Sequence, residues 1–228
     1  ESKVLVTTVA ETDSTRDFDF LPLTVNYEDR NGAGGTIPGG YLKRESGRSE
    51  REILICRLID RPIRPMFPKH LRCELQCIAT VMSYDKDFET DVMALCGASA
   101  AFAISQAPML ESIAGVRVCR VDDAYIINPN HAERAKADID LVIAGTKTAI
   151  TMVEGGANEA SEEAMLDILE IAQENIATIC ACIDELQAEV GLPKVDIGPP
   201  PAVDADVMSY VEEHGTAPLV TALAIAGK

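Results

Sequence analysis

The sequence predicts an α+β fold in which antiparallel or mixed β-sheets pack against helices. Two predicted β-hairpins carry this assignment. Residues 115–121 and 124–127 flank the turn Asp122-Asp123, and residues 139–144 and 149–154 flank a Gly-Thr-Lys-Thr turn. An apolar helical pattern precedes the two hairpins and an amphipathic one follows them, so the sheets have helices to cover them.

Three further strands are predicted before the hairpins. Residues 3–9 alternate with β-branched side chains and are predicted to form one strand; residues 21–27 are predicted to form another, and a polar loop separates the two. Residues 73–83 form a longer strand pattern that places four apolar side chains on one face: Leu75, Cys77, Ala79 and Val81.

Two long helices complete the predicted core. Residues 91–106 are apolar on all sides, which indicates a buried central helix, and the small residues 97–101 would let neighbouring elements approach it closely. The second helix begins at Ser161 and stops at Gly191 and Pro193. Its apolar side chains recur at helical spacing: Met165, Ile168, Leu169, Ala172, Ile176, Ile179, Ile183 and Leu186.

The C-terminal region differs from the rest in composition. Pro199-Pro200-Pro201 predicts an extended linker, since proline continues neither a helix nor a central strand. Residues 204–214 and 219–226 are short helix candidates, and Gly215 and Pro218 separate them.

Composition excludes several classes of protein. No apolar run approaches the roughly 18 residues of a membrane-spanning helix. The seven cysteines include no Cys-x-x-Cys pair, so neither a zinc site nor a disulfide framework is indicated, and reduced intracellular thiols are expected. Aromatic residues make up only 4% of the chain, which leaves no broad stacking platform for bases. The three histidines, His70, His131 and His214, are predicted to be surface residues.

A basic island interrupts this acidic chain, whose net charge is −17. Residues 40–72 hold four acidic residues and nine basic ones, and such a patch is the part that would attract a polyanion. The nine are Lys43, Arg44, Arg48, Arg51, Arg57, Arg61, Arg64, Lys69 and Arg72.

A helix is predicted to start inside the island at Ser49, because Ser49 and Glu52 have the spacing of a capping box. Pairs of apolar residues four apart, 54 with 58 and 55 with 59, give this helix a flank that packs on a core. Pro62 predicts that the helix ends near Arg61, leaving Arg64 on an extended segment.

Three arginines of this region, Arg57, Arg61 and Arg64, have guanidinium groups suited to phosphate oxygens. The alternative is a solvated helix face on which Asp60 pairs with Arg57. Spacing alone leaves both interpretations open.

The island also carries two specific motifs. Residues 37–45 read Ile-Pro-Gly-Gly-Tyr-Leu-Lys-Arg-Glu, and residues 57–68 read Arg-Leu-Ile-Asp-Arg-Pro-Ile-Arg-Pro-Met-Phe-Pro. Both resemble the first RNase PH-type domain of the polynucleotide phosphorylase family. Shorter likenesses occur at residues 20–27, 97–101, 127–129 and 141–146. The resemblance covers most of the chain and is weakest after Gly191.

The resemblance implies an RNase PH-like fold, of the ribosomal protein S5 domain 2 type, followed by a short helical segment. Residues 1–192 would form the first RNase PH-type domain, with its N-terminal strands missing. Residues 193–203 would be a Pro-rich linker, and residues 204–228 the start of a helical connector domain.

For function, the resemblance implies half of a polyribonucleotide nucleotidyltransferase, which degrades RNA from its 3′ end with inorganic phosphate and releases nucleoside diphosphates. Tyr41, Leu42, Lys43 and Arg44 would form a loop that binds single-stranded RNA in a central channel. Many members have two aromatic residues where this chain has Tyr41-Leu42. Arg57, Arg61 and Arg64 would face the substrate backbone or the phosphate site.

No catalytic residue or metal ligand is expected on this chain. Asp122-Asp123 reads as a solvated turn, and only spacing would favour a cation at Asp138 and Asp140. The resemblance implies Mg²⁺ or Mn²⁺ bound by a second RNase PH-type domain, a homotrimeric ring and partners from RNA degradation complexes, with no membrane and no DNA specificity.

The expected location is the bacterial cytoplasm, with a mitochondrion or chloroplast as the alternative. Two alternatives to the RNA-binding half remain: a non-catalytic ring scaffold of an exosome-like complex, and a self-sufficient single-domain nuclease. The single-domain nuclease is disfavoured, because the sequence has no paired aspartates in a context that resembles the metal site of the active domains.

Overall fold

The computed structural model describes residues 1–11, 19–41, 43–45, 47–200 and 204–225. The chain divides into two compact units, Glu1–Ile197 and Gly198–Lys228. The first unit contains two sheets and four helices among its described residues, and it carries the basic island.

The first sheet is mixed and has three strands in the order β1-β3-β2. Strand β1 (Lys3–Glu11) pairs antiparallel with β3 (Glu74–Ser83), whereas β2 (Leu23–Glu28) pairs parallel with β3. The predicted inner face of β3 is confirmed, because all four of its predicted apolar side chains are buried: Leu75, Cys77, Ala79 and Val81.

The second sheet is antiparallel, in the order β5-β4-β6-β7. Both predicted hairpins are present: β4 (Ala114–Val121) with β5 (Ala124–Ile127), and β6 (Ile139–Gly145) with β7 (Ile150–Ala157). Asp122 and Asp123 have φ values of 49° and 62°, so the first turn has the left-handed geometry of a tight hairpin.

The helices bury these sheets. Helix α1 (Glu50–Ile63) lies against β2, and α2 (Asp91–Ile104) contacts β1, β3 and β4. The small residues of α2 act as predicted: a Cβ on Gly97 would come within 2.8 Å of the Val6 side chain. Helix α4 (Glu162–Val190), after the short α3 (His131–Arg134), covers the second sheet.

The second unit contains helix α5 (Ala205–Leu223). The predicted division into two short helices is wrong, since one helix passes through both Gly215 and Pro218. After the proline, the hydroxyl of Thr221 donates to the carbonyl of Ala217 at 2.9 Å, as Thr216 does to Glu212 at 2.7 Å. No described helix of either unit is long and apolar enough to cross a bilayer.

Candidate nucleic-acid interface

The basic loop lies between a short 3₁₀ turn (Asn31–Gly34) and α1. Tyr41 is 98% exposed, and Lys43 and Arg44 are also exposed. Gly40 and Lys43 have left-handed φ values of 80° and 51°, a backbone conformation typical of turns. Leu42, the fourth residue predicted to bind RNA, lies outside the described residues.

Two glutamates fix the C-terminal side of this loop to the segment after β2. The Glu45 carboxylate accepts from the backbone N–H of Asn31 at 2.5 Å and lies 3.4 Å from the Arg30 guanidinium. The Glu52 carboxylate accepts from the backbone N–H of Asp29 at 2.9 Å. The C-terminal side of the loop therefore contacts the segment after β2, close to the start of α1.

Helix α1 begins as predicted, at the capping box of Ser49 and Glu52. The Ser49 hydroxyl accepts from the Glu52 N–H at 3.2 Å, and the Glu52 carboxylate accepts from the Ser49 N–H at 2.6 Å. Partial burial would raise the pKa of Glu52, but the hydrogen bonds from Asp29 and Ser49 outweigh it and lower the pKa from 4.5.

The apolar flank of α1 is only partly as predicted. Ile55, Leu58 and Ile59 are buried against the core, whereas Leu54 is 52% exposed. The core lies on the side of the helix that carries Ile55, Ile59 and Ile63, and Leu54 falls at the edge of that face. The exposed face of α1 therefore includes the apolar side chain of Leu54, which the four-residue spacing with Leu58 had placed on the buried flank.

The predicted helix end at Arg61 is wrong. Helix α1 continues through Pro62 to Ile63, and a 3₁₀ turn (Arg64–Met66) follows, so Arg64 is not on an extended segment. Proline removes one backbone hydrogen bond, but Ile63 and Pro62 are buried in the core. The backbone N–H of Arg64 donates to the carbonyl of Asp60, which resumes the helical pattern after the proline.

Arg64 has several partners within the protein. Its guanidinium donates to both oxygens of Asp60, at 3.0 and 2.7 Å, and to the carbonyls of Leu21 and Leu23, at 3.0 and 3.1 Å. Asp60 thus pairs with Arg64 and not with Arg57, the alternative raised by the sequence. These contacts join the end of α1 to the start of β2.

Arg61 and Arg57 occupy the exposed side of the same helix. Arg61 donates to Glu154 of β7 at 2.6 Å, and both side chains are about half exposed. The Arg57 side chain has no hydrogen bond or ion pair among the described residues. The three arginines therefore differ in their surroundings: Arg64 is held, Arg61 is paired at the surface and Arg57 is free to bind an anion.

The nine basic residues of the island divide in the same way. Arg51, Arg61, Arg64 and Arg72 contact acidic side chains or backbone carbonyls. The other five are exposed and make no such contact with any part of the chain that the structure describes: Lys43, Arg44, Arg48, Arg57 and Lys69. These five open cations and the exposed Tyr41 are the candidate residues for binding a nucleic acid.

The acidic residues considered as cation ligands are neutralised by arginines. Asp138 accepts from the Arg120 Nε at 3.0 Å, and this pairing lowers the pKa of Asp138. Asp140 accepts from Arg117 at 2.9 Å and from Arg134 at 2.9 Å. The described residues include no cluster of three or more His, Cys, Asp or Glu side chains that fits a metal ion.

These pairs belong to a larger ion-pair network that sequence reasoning missed. Arg117 also contacts Asp91 at 2.6 Å, Arg134 contacts Glu89 at 3.2 Å, and Glu89 contacts Arg51 of α1. The network connects α1, α2, β4 and β6, and it borders a cavity of about 490 Å³. No sequence signal identifies such pairs, because their members lie up to 45 residues apart.

The fold and the site define an RNase PH-type α+β domain. It has a mixed three-stranded sheet, an antiparallel four-stranded sheet and an arginine-bearing helix that follows a basic loop. The chain belongs to the 3′ exoribonuclease family: the model of the family's domain 1 matches residues 1–108, and that of its domain 2 matches residues 111–175. The RNase PH-like fold implied by the sequence motifs is thereby confirmed.

Curated relatives agree with this assignment. The chain is 48% identical over 197 residues to the polyribonucleotide nucleotidyltransferase of Persephonella marina, covering 86% of this chain and 28% of the relative. It is 44% identical over 228 residues to that of Geotalea uraniireducens, covering 100% of this chain and 33% of the relative. The chain therefore spans about a third of the length of these relatives.

Proposed function

We propose that this chain is the RNA-binding portion of a phosphorolytic 3′-to-5′ exoribonuclease, which converts RNA and inorganic phosphate to nucleoside diphosphates. The observation that carries the proposal is that the basic island exposes five open cations and Tyr41, which precedes Lys43 and Arg44 in the same loop, on a chain with a net charge of −17. The relatives' name, polyribonucleotide nucleotidyltransferase, supports the reaction class.

The chemistry of the interface suits RNA of any sequence. Lys43, Arg44 and Arg57 would neutralise backbone phosphates, which positions a strand without reading its bases. Tyr41 would stack on a base, an interaction worth about 1–3 kcal/mol. Leu42 would add apolar contact, and Arg61 would join the interface if its exposed pair with Glu154 opened.

Arg64 has a different place in the proposal. Its guanidinium already donates to Asp60, Leu21 and Leu23, so a phosphate would have to compete with these acceptors. We therefore assign Arg64 to positioning α1 and keep Arg57 as the arginine of this helix that contacts the RNA backbone.

We further propose that phosphorolysis needs parts of the enzyme beyond this chain. Asp138 and Asp140 are paired with arginines and do not fit a divalent cation site, so no metal-dependent step is assigned to them. Mg²⁺ or Mn²⁺ would bind to a second RNase PH-type domain, and three chains would assemble into a ring in the bacterial cytoplasm. Proteins of RNA degradation complexes would be further partners.

Fluorescence anisotropy with a labelled single-stranded RNA tests the binding site. Tyr41→Ala should weaken binding by about tenfold, since one stacked base contributes about 1–3 kcal/mol. Leu42→Ala should have a smaller effect. Lys136→Ala, which changes an exposed residue far along the chain from the loop, is the control for a surface substitution outside the proposed site. Equal losses for Tyr41→Ala and Lys136→Ala would contradict this site.

Release of ADP from poly(A) tests whether phosphorolysis needs parts of the enzyme beyond this chain. With phosphate and Mg²⁺, the purified chain should produce no ADP above the level of a sample without phosphate. Phosphate-dependent ADP would mean that this chain contains a complete active site. A folded chain that binds no RNA and releases no ADP would favour the non-catalytic ring scaffold, for which the neutralised Asp138 and Asp140 are the supporting observation.

A further inference from the structure

The basic loop is attached to the protein at a short segment that follows β2. Within this segment, two backbone N–H groups two residues apart point to two different glutamates. Asp29 donates to Glu52 at 2.9 Å, and Asn31 donates to Glu45 at 2.5 Å. Glu52 fixes the start of α1, whereas Glu45 comes one residue after the basic pair Lys43-Arg44.

The segment after β2, to which Glu45 binds, is itself held in place. Asn31 begins the 3₁₀ turn, and its carbonyl accepts from the N–H and the hydroxyl of Thr36, at 3.0 and 2.9 Å. The N–H of Tyr84, just beyond β3, donates to the Ala33 carbonyl at 3.3 Å. The Tyr84 ring packs so closely on Gly34 that a Cβ there would lie 2.8 Å from the ring.

The charge of Glu45 runs against the function of its surroundings. A carboxylate within a basic island repels the phosphates that the island would attract. Its charge is directed to Arg30 and to the Asn31 N–H, and Lys43 and Arg44 make no contact with it. Thr36 and Glu45 are the described residues of the loop whose side chains hydrogen-bond to Asn31, and Glu45 is the one that adjoins Lys43-Arg44.

From these contacts we propose that Glu45 is a positioning residue for RNA binding. By closing the loop on Asn31, it would hold Tyr41, Lys43 and Arg44 together in one outward-facing arrangement before RNA arrives. A preorganised loop loses less conformational freedom on binding, so affinity depends on this carboxylate although it touches no RNA. The inference rests on the proposed RNA-binding function.

Limited proteolysis tests the closure without RNA. Trypsin cuts after Lys43 and Arg44, and mass spectrometry quantifies the fragments that end at these residues. Glu45→Ala removes the acceptor and should increase the rate of these cuts roughly fivefold, since a net hydrogen bond contributes about 1 kcal/mol. Glu45→Gln keeps an acceptor oxygen and removes the same acidic neighbour of the Arg44 cleavage site, so it should be cut more slowly than Glu45→Ala.

Glu50→Ala is the matched control, because Glu50 is an exposed acid of the same island without a contact among the described residues. It should leave cleavage after Lys43 and Arg44 unchanged. Circular dichroism of all variants establishes that each is folded. Equal cleavage of Glu45→Ala and Glu45→Gln would overturn the proposed closure.

RNA affinity then separates positioning from charge. If Glu45 acted only through its charge, Glu45→Ala and Glu50→Ala would both bind RNA more tightly. The positioning role predicts that Glu45→Ala binds about threefold more weakly, while Glu45→Gln and Glu50→Ala bind as tightly as the original protein or more so. Tighter binding by Glu45→Ala would overturn the inference.

The two proposals fail in different ways. If the original chain binds no RNA, the proposed function fails, and the protease rates alone decide whether Glu45 closes the loop. If the original chain binds RNA and Tyr41→Ala weakens it while Glu45→Ala does not, the proposed function stands and the positioning role is wrong.

Discussion

Replacing Arg64 or Arg57 with methionine should separate a structural arginine from one that binds RNA. The two residues belong to the same motif, and sequence reasoning gave them the same role. Their surroundings differ: the Arg64 guanidinium donates to Asp60 and to two backbone carbonyls, whereas Arg57 is exposed with no such contact among the described residues. Methionine keeps much of the length of the side chain and removes its charge and donors.

The contacts of Arg64 set the magnitude of its effect. Arg64→Met removes the hydrogen bonds that Arg64 donates to the carbonyls of Leu21 and Leu23 and to the Asp60 carboxylate, and each such bond contributes about 0.5–1.5 kcal/mol net. Arg64 is 41% exposed, so water replaces part of the loss and solvent screens the ion pair. The free energy of unfolding should therefore fall by roughly 2 kcal/mol.

Urea unfolding followed by circular dichroism measures this loss. For a domain of this size, about 2 kcal/mol corresponds to a fall in Tm of roughly 4–8 °C. Arg57→Met should stay within about 0.5 kcal/mol of the original protein, as surface substitutions usually do. The two variants are matched controls for each other, because each removes one positive charge from the motif at residues 57–68.

RNA binding should show the opposite order. Arg57→Met should lower affinity and reduce the slope of log K against log salt by about 0.7, the value for one phosphate contact with a single strand. Arg64→Met, measured where it is folded, should keep both affinity and slope. A stable Arg64→Met variant with weakened RNA binding would refute the structural role, and a destabilised Arg57→Met variant would refute the division between the two.

Two further predictions concern the base of the interface and the second sheet. The pKa of Glu52 is lowered in the folded protein, so the stabilising effect of its carboxylate is fully present above the ordinary pKa of 4.5 and is lost as the pH falls through the lowered value. The difference in unfolding free energy between Glu52→Gln and the original protein should therefore shrink in acid. A difference that grew below pH 4.5 would contradict this sign. Gly155→Ala should destabilise the protein by about 1–3 kcal/mol, because its Cβ would lie 2.1 Å from the Asp140 carbonyl oxygen. Gly156→Ala meets nothing within 4 Å and is the control, so equal unfolding midpoints for the two variants would refute the steric argument.

Local signals predicted most elements of the fold correctly. Ser49 and Glu52 identified the start of α1, because a capping box is formed by residues three apart. Asp122-Asp123 identified a hairpin turn, and the buried side chains of β3 follow their alternation in the sequence. Each of these features depends on neighbours in the chain, so the sequence contains the information needed to locate them.

The proline positions show where local rules failed. Pro62 and Pro218 each predicted a helix end, and each lies inside a continuous helix. At Pro62, the burial of Ile63 and the resumed hydrogen bond from Arg64 to Asp60 outweigh the bond that proline removes. That outcome depends on packing against β2 and α2, which propensity does not describe.

The sequence by itself determined the α+β class, the order of the elements, the basic island and the family to which its motifs belong. Only the tertiary structure decided which cations of that island are open. Arg64 is held by carbonyls more than 40 residues away, and Arg61 meets Glu154 across 93 residues. The physical reason is that an ion pair depends on distance in space, and the fold brings together residues whose separation in the chain carries no such information.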